Sequence, residues 1–157
     1  VIKNRGVFVR SVDIGQALDI YEIRGALAQL AGGLIAERAS EADIAELRDM
    51  VQQMDAVVQS GEVDEYYRRN LAFHVRLVQC TGNKRLIEML QGTDNELHLY
   101  RHRSLVQPEG VSISNEEHHE IVEAVATRDI KRARQAFKRH VLNGKARAVA
   151  AMPKGDT

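Results

Sequence analysis

The sequence predicts an all-α protein, an antiparallel bundle of about six helices. Alanine, leucine, glutamate and arginine dominate the 157 residues, and only two prolines occur, a composition that favours helices. Apolar residues recur at alternating steps of three and four between Ile44 and Val58, and period-two alternation is absent after residue 12. The links between periodic segments are short, which favours antiparallel neighbours.

Local signals predict the first three helices. The first covers about 14–38. Ser40 with Asp43 three residues later forms a capping-box pattern that begins the second, and the Ser60–Gly61 pair ends it. The third helix covers about 64–80.

The last three helices follow from similar signals. The fourth covers about 84–104, and the main loop is expected at 105–112, which contains a proline and a glycine. Ser114 and Glu117 form a second capping-box pattern, which predicts that the fifth helix begins there. Asp129 is expected to cap a sixth helix that reaches about residue 149.

The two ends of the chain differ from its middle. Residues 1–12 combine basic and β-forming residues, which predicts a strand that has no partner within the chain. Residues 13–150 are expected to form one helical domain. Residues 151–157 are expected to be a disordered tail.

Composition excludes several classes of protein. Lysine plus arginine and aspartate plus glutamate each number 22, so the chain is not expected to coat nucleic acid by charge alone. One cysteine, Cys80, allows neither an internal disulfide nor a cysteine zinc cage, and it is expected to be a small buried hydrophobe. No apolar run approaches the ~20 residues of a membrane span, and the first residues do not resemble a signal peptide. A cytoplasmic protein is expected.

Polar residues inside apolar stripes indicate a candidate site. On the third, fifth and sixth predicted helices, His74, His118 and His140 lie on the apolar faces, and Asn70 precedes His74 by one turn. Burying such groups without partners is costly. Three imidazoles and an oxygen with open positions are typical of an exchangeable divalent metal site. Spacing alone leaves hydrogen-bonded core histidines as an equal alternative.

A second histidine pair competes with this set. His98 and His102 are also four residues apart, with Asp94 one turn before them, but they lie beside the apolar stripe of their helix. They are expected at a solvated face or a pocket rim. His119 directly follows His118 and is expected to point to solvent.

Arg24 also interrupts an apolar face, in the first helix. A guanidinium can clamp a carboxylate with two parallel hydrogen bonds. It can equally pair with a glutamate or reach solvent, and both interpretations stay open. Arg24, Arg101 and His98 are the predicted ligand-binding residues.

Six short segments together resemble one known family. The chain is similar to the C-terminal effector-binding (FCD) domain of GntR-type transcriptional regulators, in the FadR subfamily. The segments that carry the resemblance are 4–10, which looks like the last strand of a winged-helix wing, Tyr-Glu-Ile-Arg at 21–24, Asn-Leu-Ala-Phe-His at 70–74, Thr-Gly-Asn at 81–83, Glu-His at 117–118, and His140.

The resemblance implies a helical bundle that binds a small metabolite, often a carboxylate, beside a divalent metal such as zinc or nickel. In the family an aspartate and three histidines hold the metal. Carried over, the ligands are Asn70, His74, His118 and His140. Asn70 replaces the usual aspartate and is a weaker, neutral ligand. Ala28 stands where a glutamate is common, which leaves Arg24 one partner fewer.

The resemblance further implies a homodimer that binds operator DNA through a winged-helix domain missing from this chain, of which residues 1–12 are a remnant. Two alternatives remain. One is a purely structural dimerisation module that binds no metal. The other is a metal-dependent hydrolase, for which the sequence supplies no evident general base, since Glu117 points about 100° away from His118 around the helix.

Overall fold

The computed structural model describes residues 12–152. This part of the chain is entirely helical apart from its connections, which confirms the all-α prediction, and it contains seven helices rather than six. Their bounds are α1 Ile14–Arg38, α2 Glu41–Ser60, α3 Val63–Gln79, α4 Lys84–Glu96, α5 His98–Val106, α6 Gly110–Ala126 and α7 Ile130–Ala150.

The predicted helix starts at the beginning of α2 and α7 are confirmed. Ser40 accepts from the backbone N–H of Asp43, whose side chain in turn accepts from the Ser40 N–H, so two orphan donors are satisfied reciprocally. Asp129 accepts from the backbone N–H of Arg132 at the start of α7. These caps fix where each helix enters the bundle.

The fourth predicted helix is two helices, which corrects the expectation of one helix over 84–104. The chain turns at Leu97, whose φ and ψ are −90° and 6°. Leu97 stays buried, as do Leu90 before it and Tyr100 after it. The apolar stripe therefore continues across the break, and α5 extends to Val106.

The predicted start of α6 at Ser114 is wrong, and so is the expected loop at 105–112. The helix begins at Gly110, and the connection from α5 is only 107–109. An added Cβ on Gly110 would lie 2.5 Å from the Ser104 carbonyl oxygen, so only glycine allows this close approach. Ser114 lies four residues inside the helix, and its side chain is buried.

The core is built around the long contact between α1 and α7. Small residues let these helices approach closely: an added Cβ on Gly32 would lie 2.4 Å from the carbonyl oxygen of Ala133. α3 lies among α1, α2, α4 and α5, and its inward face carries Tyr66, Phe73 and Leu77. Inward-facing side chains of α3, α6 and α7 meet in the middle of the bundle.

Two expectations concern residues outside those that the structure describes. The wing remnant falls on residues 1–11 of its predicted range 1–12, and the disordered tail falls largely on residues 153–157. Within residues 12–152, none of the helices combines the length and the apolar character needed to cross a membrane.

Candidate metal centre

Three histidines from three helices meet in the core. The Nε2 atom of His74 on α3 lies 3.2 Å from the Nε2 atoms of both His118 on α6 and His140 on α7. One nitrogen from each ring lies within 4.8 Å of the other two. The side chains are buried, with 2%, 0% and 9% exposed. The fold thus brings the three predicted histidines together.

The spacing of these nitrogens suits a shared cation. A zinc ion at about 2.0–2.1 Å from each nitrogen places two ligands about 3.3 Å apart at a tetrahedral angle and about 2.9 Å apart at a right angle. The observed 3.2 Å lies between these values. Two of the three nitrogen separations therefore match those of ligands that share one divalent metal.

The far side of His140 is held by a carboxylate. Its Nδ1 lies 2.6 Å from Oε2 of Glu117, and the Oε1 atom of the same carboxylate accepts from Asn143 and Arg147. An ionised carboxylate only accepts, so the His140 Nδ1 carries the proton and its Nε2 presents a lone pair. Carboxylate–histidine pairs of this kind orient metal ligands.

His118 has a similar anchor on its far side. Its Nδ1 lies 3.4 Å from Oδ1 of Asn115 and 3.3 Å from the Tyr66 hydroxyl. The Asn115 amide nitrogen donates to Asp55 at 2.6 Å, which turns the amide oxygen toward the ring. When Nδ1 donates to the Asn115 oxygen, the Nε2 of His118 also presents a lone pair.

Hydrogen bonds alone do not satisfy this cluster. With lone pairs on Nε2 of His118 and His140, the Nε2 of His74 can donate its one proton to only one of them. The Nδ1 of His74 has no hydrogen-bond partner among the described residues, and neither does the buried Oδ1 of Asn70. A bound cation would satisfy the facing lone pairs, so the residues present fit a divalent metal.

Burial keeps the three imidazoles in the form that binds metals. It lowers the pKa of His74 and of His118 well below the ordinary 6.5, and the nearby arginine Arg101 acts in the same direction. Burial also lowers the pKa of His140, although Glu117 opposes it. Neutral imidazole is the ligand form.

A cavity opens beside the histidines. It is narrow, with a volume of about 30 Å³ open to water-sized molecules, which is room for about one or two waters. Three arginines line it together with Asn70 and His74: Arg24, Arg101 and Arg147. The cavity therefore joins a candidate cation site to guanidinium groups that attract anions.

Two carboxylates pair with these arginines. Asp94 on α4 contacts the Nη1 atoms of Arg24 and, at 2.9 Å, of Arg101, so the partner of Arg24 is an aspartate rather than the glutamate considered from the sequence. Both oxygens of Glu117 contact Arg147 at 3.1 Å. Burial lowers the pKa of Arg24 to about 10, against the opposing effect of Asp94, and the guanidinium stays charged at neutral pH.

The structure does not bring His98 into this cavity. His98 is exposed, and its Nδ1 lies 2.7 Å from the Tyr67 hydroxyl. His102 contacts the exposed Asp64, and His119 contacts Asp55 at the surface. The competing histidine pair therefore does not form a cluster with a third ligand among residues 12–152. Cys80 is buried, as expected for a small hydrophobe.

Sequence reasoning missed three residues of the site: Glu117, Asp94 and Arg147. The rotation of about 100° between Glu117 and His118 is real, but α7 lies on that side and presents His140 to the carboxylate. Arg147 lies seven residues after His140, two turns along the same face, and that spacing was the available signal.

Comparisons with known proteins agree with this geometry. The FCD domain model matches residues 19–143. The Nta operon transcriptional regulator of Aminobacter aminovorans is 30% identical over 127 residues, covering 80% of this chain and 58% of that protein. The chain spans about three fifths of the length of such curated relatives, which are named as transcriptional regulators and not as enzymes.

Solved structures share the fold. E. coli McbR/YncC superposes with a TM-score of 0.80 at 19% identity, over 88% of this chain and 66% of that one. The metal-free FCD domain of TM0439 gives 0.70 at 19% identity, over 90% and 97%. The chain belongs to the FCD domain family, and the curated relatives it resembles are transcriptional regulators.

Proposed function

We propose that this domain is the sensor of its regulator. It binds a small carboxylic acid beside a divalent metal, zinc or nickel, and thereby controls operator binding by a winged-helix domain of the whole protein, which acts as a homodimer. The observation that carries the proposal is the convergence of the Nε2 atoms of three buried histidines at one end of a cavity lined by arginines.

The roles of the residues follow from their placement. His74, His118 and His140 would hold the metal, with the Oδ1 of Asn70 as a fourth, neutral ligand. Glu117 and Asn115 fix the orientation of two of the rings. When bound, the metal would supply positive charge and open coordination positions for an acidic ligand.

Arg24 and Arg101 would bind the effector carboxylate. Both line the cavity and both are buried, where an ion pair is less screened by water than at the surface. The cavity wall combines residues of α1, α3, α5, α6 and α7. An effector that binds one packing of these helices more tightly than another shifts the population between them, and this shift would be passed to the attached domain.

The test is carboxylate binding with and without metal. Thermal shift and calorimetry with a panel of small acids should show binding to the zinc- or nickel-loaded wild-type domain and at least tenfold weaker binding to the His118→Ala variant. His102→Ala, which removes a surface imidazole, is the matched control and should behave as wild type. Equal binding by His118→Ala would contradict the proposal.

A structural dimerisation module is the remaining alternative. It predicts that His118→Ala lowers the melting temperature but that neither metal nor acid raises it. A hydrolase receives no support from the site, because Glu117, the carboxylate nearest the histidines, is committed to His140, Asn143 and Arg147 and is not free to take a proton from water.

A further inference from the structure

The contacts between Asp94, Arg24 and Arg101 form an ion cluster that joins three helices. Arg24 belongs to α1, Asp94 to α4 and Arg101 to α5. All three side chains are largely buried, with 4%, 18% and 10% exposed. Buried charges persist only when they are well compensated, so this cluster requires an explanation beyond a surface ion pair.

The charges of the cluster do not balance. One carboxylate faces two guanidiniums, and the other arginine of the cavity, Arg147, is already paired with Glu117. Among residues 12–152, one positive charge beside the cavity is therefore left without a carboxylate of its own. A monocarboxylate bound there would complete an alternating arrangement of two cations and two anions.

The geometry leaves the cavity side of both guanidiniums available. Within the described part of the chain, the hydrogen bonds and the ion pair of Arg24 are all made through Nη1, to Asp94, to the Thr93 hydroxyl at 3.0 Å and to the Leu90 carbonyl at 3.5 Å. These partners all belong to α4. Arg101 likewise meets Asp94 through Nη1. Both arginines line the cavity, whereas Asp94 does not, so the aspartate lies behind them.

We infer that Asp94 is the positioning residue of the carboxylate subsite. It holds two guanidiniums that would otherwise repel each other side by side, with their remaining N–H groups toward the cavity, so that one effector carboxylate is bound by both. This inference rests on the proposed function, because it assumes that the effector is a carboxylate. It assigns a role to the last turn of α4, where Asp94 lies three residues before the break at Leu97.

The experiment compares carboxylate and metal affinity in Asp94→Asn. Acetate, L-lactate and malonate serve as probes, and calorimetry measures their binding to the metal-loaded domain. The variant should bind the probes about 10- to 100-fold more weakly, which corresponds to one or two charge-assisted hydrogen bonds. The affinity of Asp94→Asn for zinc, measured separately, should stay within about twofold of wild type. A general loss of structure would weaken both probe binding and zinc binding. Asp64→Asn, which removes an exposed carboxylate on α3, is the matched control.

A second variant keeps the inference testable if Asp94→Asn is unstable. Arg101→Gln leaves the Arg24 guanidinium paired with the Asp94 carboxylate, so the melting temperature should not fall. Probe binding should nevertheless drop at least tenfold. Asp94→Glu should partly restore binding.

The outcomes separate this inference from the proposed function. If a probe binds wild type and Asp94→Asn equally, or binds Asp94→Asn more tightly, Asp94 does not position the arginines, while the sensor proposal stands. If no probe binds the wild-type domain with or without metal, both are overturned.

Discussion

Replacing Glu117 with glutamine tests how far the metal site depends on the groups behind it. Oε2 of the carboxylate binds the Nδ1 of His140 at 2.6 Å, Oε1 accepts from Asn143, and each oxygen accepts from Arg147. Glutamine keeps the shape but has one acceptor oxygen, and its amide nitrogen would face a donor on one side. The orientation of His140 is then no longer fixed.

The expected loss can be estimated from the contacts. Removal of such a partner lowers metal affinity about 10- to 100-fold, or about 1.4–2.7 kcal/mol. Because the Glu117 side chain is only 11% exposed, loss of its charged hydrogen bonds should also lower the free energy of unfolding by about 1.5–3 kcal/mol.

The assay is zinc titration against a chelator of known affinity, with chemical denaturation of the metal-free domain in parallel. Glu116→Gln changes the neighbouring exposed carboxylate and is the control. An unchanged zinc affinity in Glu117→Gln would refute the assignment of Glu117 as the group that orients His140.

Three further predictions concern the site, the packing and the pH dependence. Asn70→Asp should raise zinc affinity by about tenfold or more, since a carboxylate attracts the cation more strongly than an amide. It should also lower the stability of the metal-free domain. Chelator competition measures the affinity and thermal denaturation the stability, and weaker zinc binding would count against Asn70 as a ligand. Gly32→Ala should lower the free energy of unfolding by about 1–3 kcal/mol through overpacking against α7. Gly92→Ala, with nothing within 4 Å of the new Cβ, should raise it by about 0.5–1 kcal/mol. Similar unfolding curves for the two variants would contradict the close α1–α7 contact. The hydrogen bond from Arg76 and those at the Ser40 cap lower the pKa of Asp43 from 3.8 to about 2. The stability that ionised Asp43 contributes is therefore complete above the pKa of the unfolded chain and is lost as pH falls toward 2. The melting temperature of Asp43→Asn should fall less than that of wild type between pH 5 and 2, and parallel plots of melting temperature against pH would disprove this.

The sequence predicts most helices because their signals are local. The capping box at Ser40 and the apolar steps of three and four depend on residues within one or two turns. The break at Leu97 has no such signal, since no proline or glycine marks it and the apolar stripe continues through it. It depends on how α4 and α5 pack against α1, α3 and α7.

The candidate site was likewise predictable only where the signal is local to one helix. His74, His118 and His140 could be found because each interrupts an apolar face, which is a property of its own helix. Glu117 and Asp94 could not, because their partners lie on other helices and charged residues near a helix surface are ordinarily solvated. His98 satisfied the spacing rule, yet the face it occupies lies outside the cavity.

The most direct test of the central claim is the metal content of the purified domain. After incubation with zinc or nickel and removal of the excess by dialysis, elemental analysis should find about one equivalent in the wild type and almost none in His74→Ala, because the Nε2 of His74 lies 3.2 Å from each of the other two nitrogens. Absence of metal from the wild type, or equal metal in His74→Ala, would show that the three histidines do not form a metal site.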